Sequence, residues 1–502
     1  MIDSNTATPL GEPAPFAFDN SFARDMPGFF SPARPARARE PRLLFFNGAL
    51  AQELGLDIDE LASERGARIL TGQELPAGAE PIAQAYAGHQ FGHFTPQLGD
   101  GRALLLGEVV DRDGRRRDIQ LKGSGPTHFS RGGDGLSALG PVLREYLVSE
   151  AMHALGVPTT RALAAATTGE SVYRDRPLPG AVLTRVAASH LRVGTFEYFA
   201  ARGQVDEVRK LADYAIARHD PHLLDIDGGP RYLRFFEAVR DRQARLIAWW
   251  MSLGFVHGVM NTDNTSISGE TIDYGPCAFM ERFDEATVFS SIDHGGRYAF
   301  GQQPQIGLWN LVRLAETLLP LFDADPERAG AGARAALEGF QPAYEARYLA
   351  RMRPKLGLAT ERAEDEGLIE GFLSLLRRGE VDYTNALRAL TSAEKDPAAL
   401  RGLVADSAAL DAWLQRWRDR LSHESTMPAA RAAAMAAVNP LFIPRNHRVE
   451  AALDAAVDEG DLTLFEELLA VVTRPFDERP DRTDLTLPAP ADAPPYRTFC
   501  GT

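Results

Sequence analysis

Apolar and polar residues alternate over Asp118-Ile-Gln-Leu-Lys122 and then give way to Gly-Ser-Gly, which predicts a strand running into a loop. Upstream, Leu104-Leu-Leu-Gly-Glu-Val-Val110 is a largely apolar run and predicts a neighbouring strand. The period changes at Pro141, a residue suited to the first turn of a helix, and a helix is expected through Val148 until Gly156 and Pro158 stop it. From Phe196 onward helical spacing dominates. Over Arg231–Phe255, the residues Leu233, Phe236, Val239, Leu246 and Trp250 approximate one apolar stripe, the signature of a core-facing helix. After Leu308 the chain reads as nearly continuous helices to Leu469, and Asp477 to Pro495, rich in Pro and Asp, as an extended tail. Residues 1–80 read as irregular, with the Pro/Arg run Ser31–Arg39 as a solvated loop. No internal repeat is visible. The pattern divides the chain into an N-terminal segment (1–80), a strand-rich lobe with glycine loops (81–190), a helical lobe (191–350) and a helical extension with its tail (351–502).

Candidate chemistry gathers where the pattern is least regular. In His257-Gly-Val-Met-Asn261-Thr-Asp263-Asn264, followed by Thr-Ser-Ile-Ser-Gly-Glu-Thr-Ile-Asp273-Tyr-Gly275, two carboxylates and an amide flank an expected hairpin of Ser266-Ile267 and Thr271-Ile272 turned at Ser268-Gly269. Such a hairpin would bring Asp263 and Asn264 close to Asp273. Hard oxygen donors in small number suit Mg²⁺ that keeps waters and takes phosphate ligands. Kinases place a base Asp, a metal Asn and an Asp-Phe-Gly motif in this order, and Asp273-Tyr274-Gly275 stands where the last would be. An Asn/Asp-rich surface turn would read the same way. Upstream residues separate the two readings. Lys122 ends its strand where a lysine can reach phosphates, and Glu145 follows it by 23 residues on the next helix, the order of the kinase lysine–glutamate pair. Gln97-Leu-Gly99-Asp-Gly101-Arg102 is a glycine loop that could cradle phosphate or simply turn the chain, and Ser130-Arg-Gly-Gly-Asp134-Gly135 is a second one, where kinases do not normally carry a glycine loop.

Taken together, Tyr86-Ala-Gly-His-Gln-Phe-Gly-His93, Gln97–Arg102, Gln120-Leu-Lys-Gly-Ser-Gly125 and Asn261–Asn264 with Ile272–Pro276 resemble the selenoprotein O family of kinase-like protein adenylyltransferases. The resemblance runs from about Pro41 to the end of the chain. It implies an α+β, protein-kinase-like bilobal fold with a strand-rich N-lobe, a helical C-lobe and a helical C-terminal extension. It also implies ATP held in reverse, so that AMP passes to a Ser, Thr or Tyr hydroxyl of a protein, the enzyme itself included, and pyrophosphate leaves. By the same resemblance Asp263 is the catalytic base, and Asn264 with Asp273 binds Mg²⁺, Mn²⁺ being the alternative. The nucleotide falls to Gly99, Gly101, Arg102, Lys122, Asp134, Gly135, Arg185, Arg192 and Asp273, with Lys122 and Glu145 as the structural ion pair. Arg185 and Arg192 would hold the terminal phosphate, since guanidinium is planar and permanently charged. The kinase pattern separates its base and metal Asn by four residues; here Asp263 and Asn264 are adjacent, so their side chains must diverge. A kinase acting on a protein or small molecule, or a silent nucleotide-binding scaffold, are the alternatives.

Composition narrows the partners. A net charge of −15 in 502 residues argues against nucleic acid and against a polybasic membrane surface. Apolar runs such as Ala248–Met251 are too short to span a bilayer, and Met1-Ile-Asp-Ser-Asn-Thr does not begin like a secretion signal. The expectation is a bacterial cytoplasmic enzyme. Two cysteines, Cys277 and Cys500, are expected as free thiols there, although a tail-to-loop disulfide is conceivable because some family members carry selenocysteine near the C-terminus. His89 and His93 are four apart without a third ligand in view, so no zinc site is expected, and His257 reads as a structural hydrogen-bonder.

Overall fold

The computed structural model describes residues 15–490 and 492–498, and these are mixed α/β with an antiparallel sheet. They form two compact units. The first comprises the residues up to Gln84, Asp100–Ser137 and Ala162–Ala188, and the second comprises Ala85–Gly99, Ala138–Arg161 and the residues from Ser189 onward.

In the first unit the sheet runs in the order Phe30–Pro32, Ile82–Gln84, Ala103–Val110, Arg116–Lys122, Pro177–Ala187, Arg161–Tyr173, Arg42–Phe46. The two strands expected from the pattern are present and pair antiparallel, Ala103 lying opposite Lys122 and Val110 opposite Arg116. Leu104, Leu106, Ile119, Leu121, Leu163 and Val182 are buried with Leu50, Leu61 and Ile69 of short covering helices. Those helices correct the expectation that residues up to 80 are irregular. Gly48–Leu54, Ile58–Leu61 and Glu64–Leu70 are each started by a side-chain cap, with Asn47, Asp57 and Ser63 accepting from the backbone N–H of Leu50, Glu60 and Gly66. They are too short for a helical period to emerge from the sequence. The solvated loop survives in part: Arg34, Arg37 and Arg39 are exposed, while Ala38 is buried.

The second unit is mainly helical. The helix predicted from Pro141 begins two residues earlier and spans Leu139–Ala154. The long helix spans Gly229–Leu253, and of its expected stripe Phe236, Val239, Leu246 and Trp250 are buried while Leu233 is half-buried. Gly254, at φ +72°, ends it in the left-handed conformation and turns the chain into the short strand Phe255–Val256, which pairs with Ala278–Phe279. Helices then follow one another from Gln303 to Val472. Their core includes Phe372, Trp413 and Trp417, whose indole N–H groups donate to the carbonyls of Leu368 and Leu356. The tail departs from its expected extended form at Pro480–Thr486, a 3₁₀ segment. It then runs on to Thr498, whose hydroxyl donates to Pro276 O at 2.9 Å and whose N–H donates to Phe289 O. Cys500 lies outside the described residues. Among them, no helix is long and apolar enough to cross a membrane.

Candidate active site

The expected hairpin after Asn264 does not form. Ser266 pairs with Arg192 and Thr271 pairs with Thr159, so the two short runs face other parts of the chain rather than each other. Ser268-Gly269 does turn, but tertiary partners offer better ladders than two-residue strands could offer one another. The carboxylates are nevertheless brought together, by a different route.

Thr262–Asn264 is a single 3₁₀ turn whose neighbours are anchored on both sides. Asn261 Oδ1 accepts from Tyr298 OH at 2.6 Å and from the backbone N–H of Phe91 at 3.1 Å. The Thr262 hydroxyl accepts from the N–H of His89 at 2.6 Å and donates to Glu197. Glu197 also meets His89 Nδ1 at 2.5 Å. Between these anchors Asp263 is only 8 % exposed, and its Oδ1 has no hydrogen-bond partner among the described residues. Its Oδ2 lies 3.5 Å from Gln90 Nε2. Gly88 is required here by close approach, because a β-carbon at that position would stand 2.5 Å from Asp263 Oδ1. Burial pushes the Asp263 carboxyl up to about 7, against the pull of Arg192 and with the help of Asp273. A carboxylate poised near neutrality, with one unengaged oxygen, suits a general base.

Asp273 sits at φ +65°, a conformation that costs a non-glycine residue on the order of 1 kcal/mol and that its surroundings must enforce. They do so on both sides. Thr160 N–H donates to Thr271 O, the Tyr274 hydroxyl meets that of Thr159, and Arg144 donates to the carbonyls of Gly275 at 3.1 Å and Cys277 at 2.6 Å. His257 is fully buried with Nε2 2.9 Å from Ile272 O, and burial lowers its pKa, so it is a neutral structural donor as expected. Arg192 is buried, lies 4.3 Å over the Tyr86 ring and reaches to 3.9 Å from Asp273. Asn264 donates through Nδ2 to Val259 O, which fixes its amide and leaves Oδ1 outside that bond. The second unit thus gathers Asp263, Asp273 and Arg192, with Asn264 adjoining in sequence. Gly99 and Glu145 also belong to it, Glu145 buried on the helix Leu139–Ala154.

The other predicted residues lie in the first unit. Lys122 ends its strand, and Arg102 O accepts from Gly123 N–H at the same end of the sheet. Gly101 packs closely, a β-carbon there falling 2.9 Å from Phe129 O. Asp134 is engaged by Arg174 in two contacts of 2.8 and 3.1 Å, which hold its carboxyl below the usual range. It also caps the N–H of Leu136, and Gly135 O accepts from Gly125 N–H. Arg185 is buried and donates to Gln120 Oε1 at 2.6 and 3.1 Å.

Sequence reasoning missed Gly88, Gln90, Thr262 and Glu197 as supports of the site. For Gly88 and Gln90 the signal lies in Tyr86–His93, one of the motifs that carry the family resemblance. Among the described residues no three His, Cys, Asp or Glu side chains gather to hold a metal. The hard oxygens of Asp273 and of Asn264, whose Oδ1 stays outside the bond to Val259, fit a cation that completes its shell with water and phosphate.

Comparison with known proteins identifies the family. The family model described as protein adenylyltransferase SelO matches residues 15–473. A protein nucleotidyltransferase YdiU of Cereibacter sphaeroides is 59 % identical over 97 % of this chain and 100 % of its own length. One from Methylorubrum populi is 57 % identical over 97 % and 99 %, and one from Rhizobium rhizogenes is 55 % identical over 99 % of each chain. The chain belongs to the SelO family of protein adenylyltransferases and is a nucleotidyltransferase.

Proposed function

We propose that this protein is a kinase-like, bilobal adenylyltransferase that moves AMP from ATP to Ser, Thr or Tyr hydroxyls of proteins. The observation that carries the reading is Asp263: a buried carboxylate near neutrality, one oxygen unengaged, held beside Asp273 and Arg192. Asp263 takes the proton of the acceptor hydroxyl as its oxygen attacks the α-phosphorus. The bond from that phosphorus to the bridging oxygen breaks, and pyrophosphate departs with the electron pair. Asn264 and Asp273 hold Mg²⁺, which when bound neutralises phosphate charge. Lys122, oriented by Glu145, binds the nucleotide with Gly99, Gly101, Arg102, Asp134 and Gly135, while Arg185 and Arg192 receive the terminal phosphate. The sequence order of lysine, glutamate, base and metal residues supports the kinase-like arrangement, and the names of the relatives support nucleotidyl rather than phosphoryl transfer. Positioning and charge neutralisation carry most of such a reaction. Intact-mass analysis of acceptor protein incubated with enzyme, ATP and Mg²⁺ tests it: an AMP-sized increment is expected, and a phosphate-sized increment would make the protein a kinase.

A further inference from the structure

The hairpin formed by Gly88–Gln90 and His93–Thr95 contacts the base through Gln90, yet much of it faces elsewhere. Phe94 is 40 % exposed, and the His89 ring lies 4.9 Å from it and 5.3 Å, edge-on, from Trp309. Two guanidinium groups flank Trp309, Arg297 at 4.7 Å and Arg313 at 5.0 Å from the ring centre. Just past the hairpin, Arg202 lies 3.5 Å over the Tyr198 ring and donates to Pro96 O. Arg313 pairs with Glu316, but among the described residues neither Arg202 nor Arg297 makes an ion pair. A guanidinium stacked on a ring keeps its in-plane N–H groups available for a carboxylate. Rings and arginines together are also the composition of binding hot spots.

We propose that this aromatic and cationic row docks an acidic stretch of the acceptor protein beside the hydroxyl to be modified. The inference rests on the protein-acceptor reading above and adds the chemistry of the segment recognised. Arg297 is tied to the base loop through its neighbour Tyr298, whose hydroxyl bonds Asn261, so a segment held here lies close to Asp263. A chain of net charge −15 repels acidic partners over most of its surface, which makes the ring-stacked Arg202 and Arg297 the place where they can land.

The test reads binding without turnover. Fluorescein-labelled peptides with a central serine, flanked by Glu in one and by Gln in the other, are titrated with full-length enzyme and followed by anisotropy. The Glu peptide should bind about tenfold more tightly, and added salt should shrink the difference. In the Arg202→Gln/Arg297→Gln double variant the preference should fall within about twofold, with ATP affinity unchanged, and Arg→Lys replacements should restore part of it. Equal binding of both peptides, binding of neither, or an undiminished preference in the double variant would overturn the proposal. So would loss of ATP affinity, which would assign the arginines to the nucleotide. A phosphate-sized product in the mass experiment would displace the adenylyltransferase reading and leave the peptide result to stand or fall by itself.

Discussion

At the scale of single residues, the surroundings of the Asp263 carboxylate set its chemistry. Asp263→Asn keeps the shape and removes the proposed base, so turnover should drop about 10²–10⁴-fold while ATP affinity stays within a few-fold. Asp273→Ala should instead abolish metal-dependent nucleotide binding; equal loss of binding in both variants would show the roles to be misassigned. Gly88→Ala makes a sharper claim, because the added methyl must displace Asp263 Oδ1 from 2.5 Å. It should lower kcat more than tenfold with little change in thermal midpoint, and wild-type kcat in that variant would show that the base is not where the structure puts it. Asp263, Asn264 and Asp273 are legible in the sequence as candidates because three chemically suited residues stand in a recognisable order. Gln90 and Glu197 were not, because they meet the base loop from 173 and 65 residues away, and no local pattern records such encounters.

Among the elements, the long regular ones could be read and the short ones could not. The strands at Ala103–Val110 and Arg116–Lys122 and the helices beyond Gln303 declare themselves by period. The expected hairpin at Ser266–Ile272 failed because its strands were too short to outcompete partners at Arg192 and Thr159. One helix carries a measurable consequence for stability. Lys355, at the end of Phe340–Lys355, is buried with Nζ 2.9 Å from Val438 O and 3.4 Å from Asn439 Oδ1, and burial lowers its pKa to about 7. Below that pH the amine is charged in folded and unfolded chains alike, and the cost of burying it is fully present. Between about 7 and the ordinary value of 10.5 the unfolded chain binds the extra proton, so stability rises with pH, by at most about 1.4 kcal/mol per pH unit. Lys355→Met should remove that component, so its denaturant midpoint should change less than that of the wild type between pH 7 and 9.5. Identical pH dependence in the two proteins would contradict it.

For the whole molecule, the first unit is assembled from three separated stretches of chain, which is why the N-terminal stretch looked irregular when read alone. Its helices and strands make sense only against Ala103–Val110 and its neighbours. The tail behaves similarly: Asp477 onward has the composition of a free end, yet Ser291 N–H donates to Thr498 O at 3.0 Å and Thr498 holds Pro276 O. Truncation after Pro495 should therefore speed hydrogen exchange at Ser291, and unchanged protection there would refute the contact. Cys277 is buried, and burial raises its thiol to about 11, so it should resist alkylation in the native enzyme. The reaction is defined by which phosphorus of ATP the acceptor hydroxyl attacks. Parallel incubations of enzyme and protein acceptor with ATP labelled at the α or at the γ phosphate, in Mg²⁺, answer it directly. The account predicts protein-bound label from α-labelled ATP alone, lost in Asp263→Asn; protein-bound label from the γ position would contradict it.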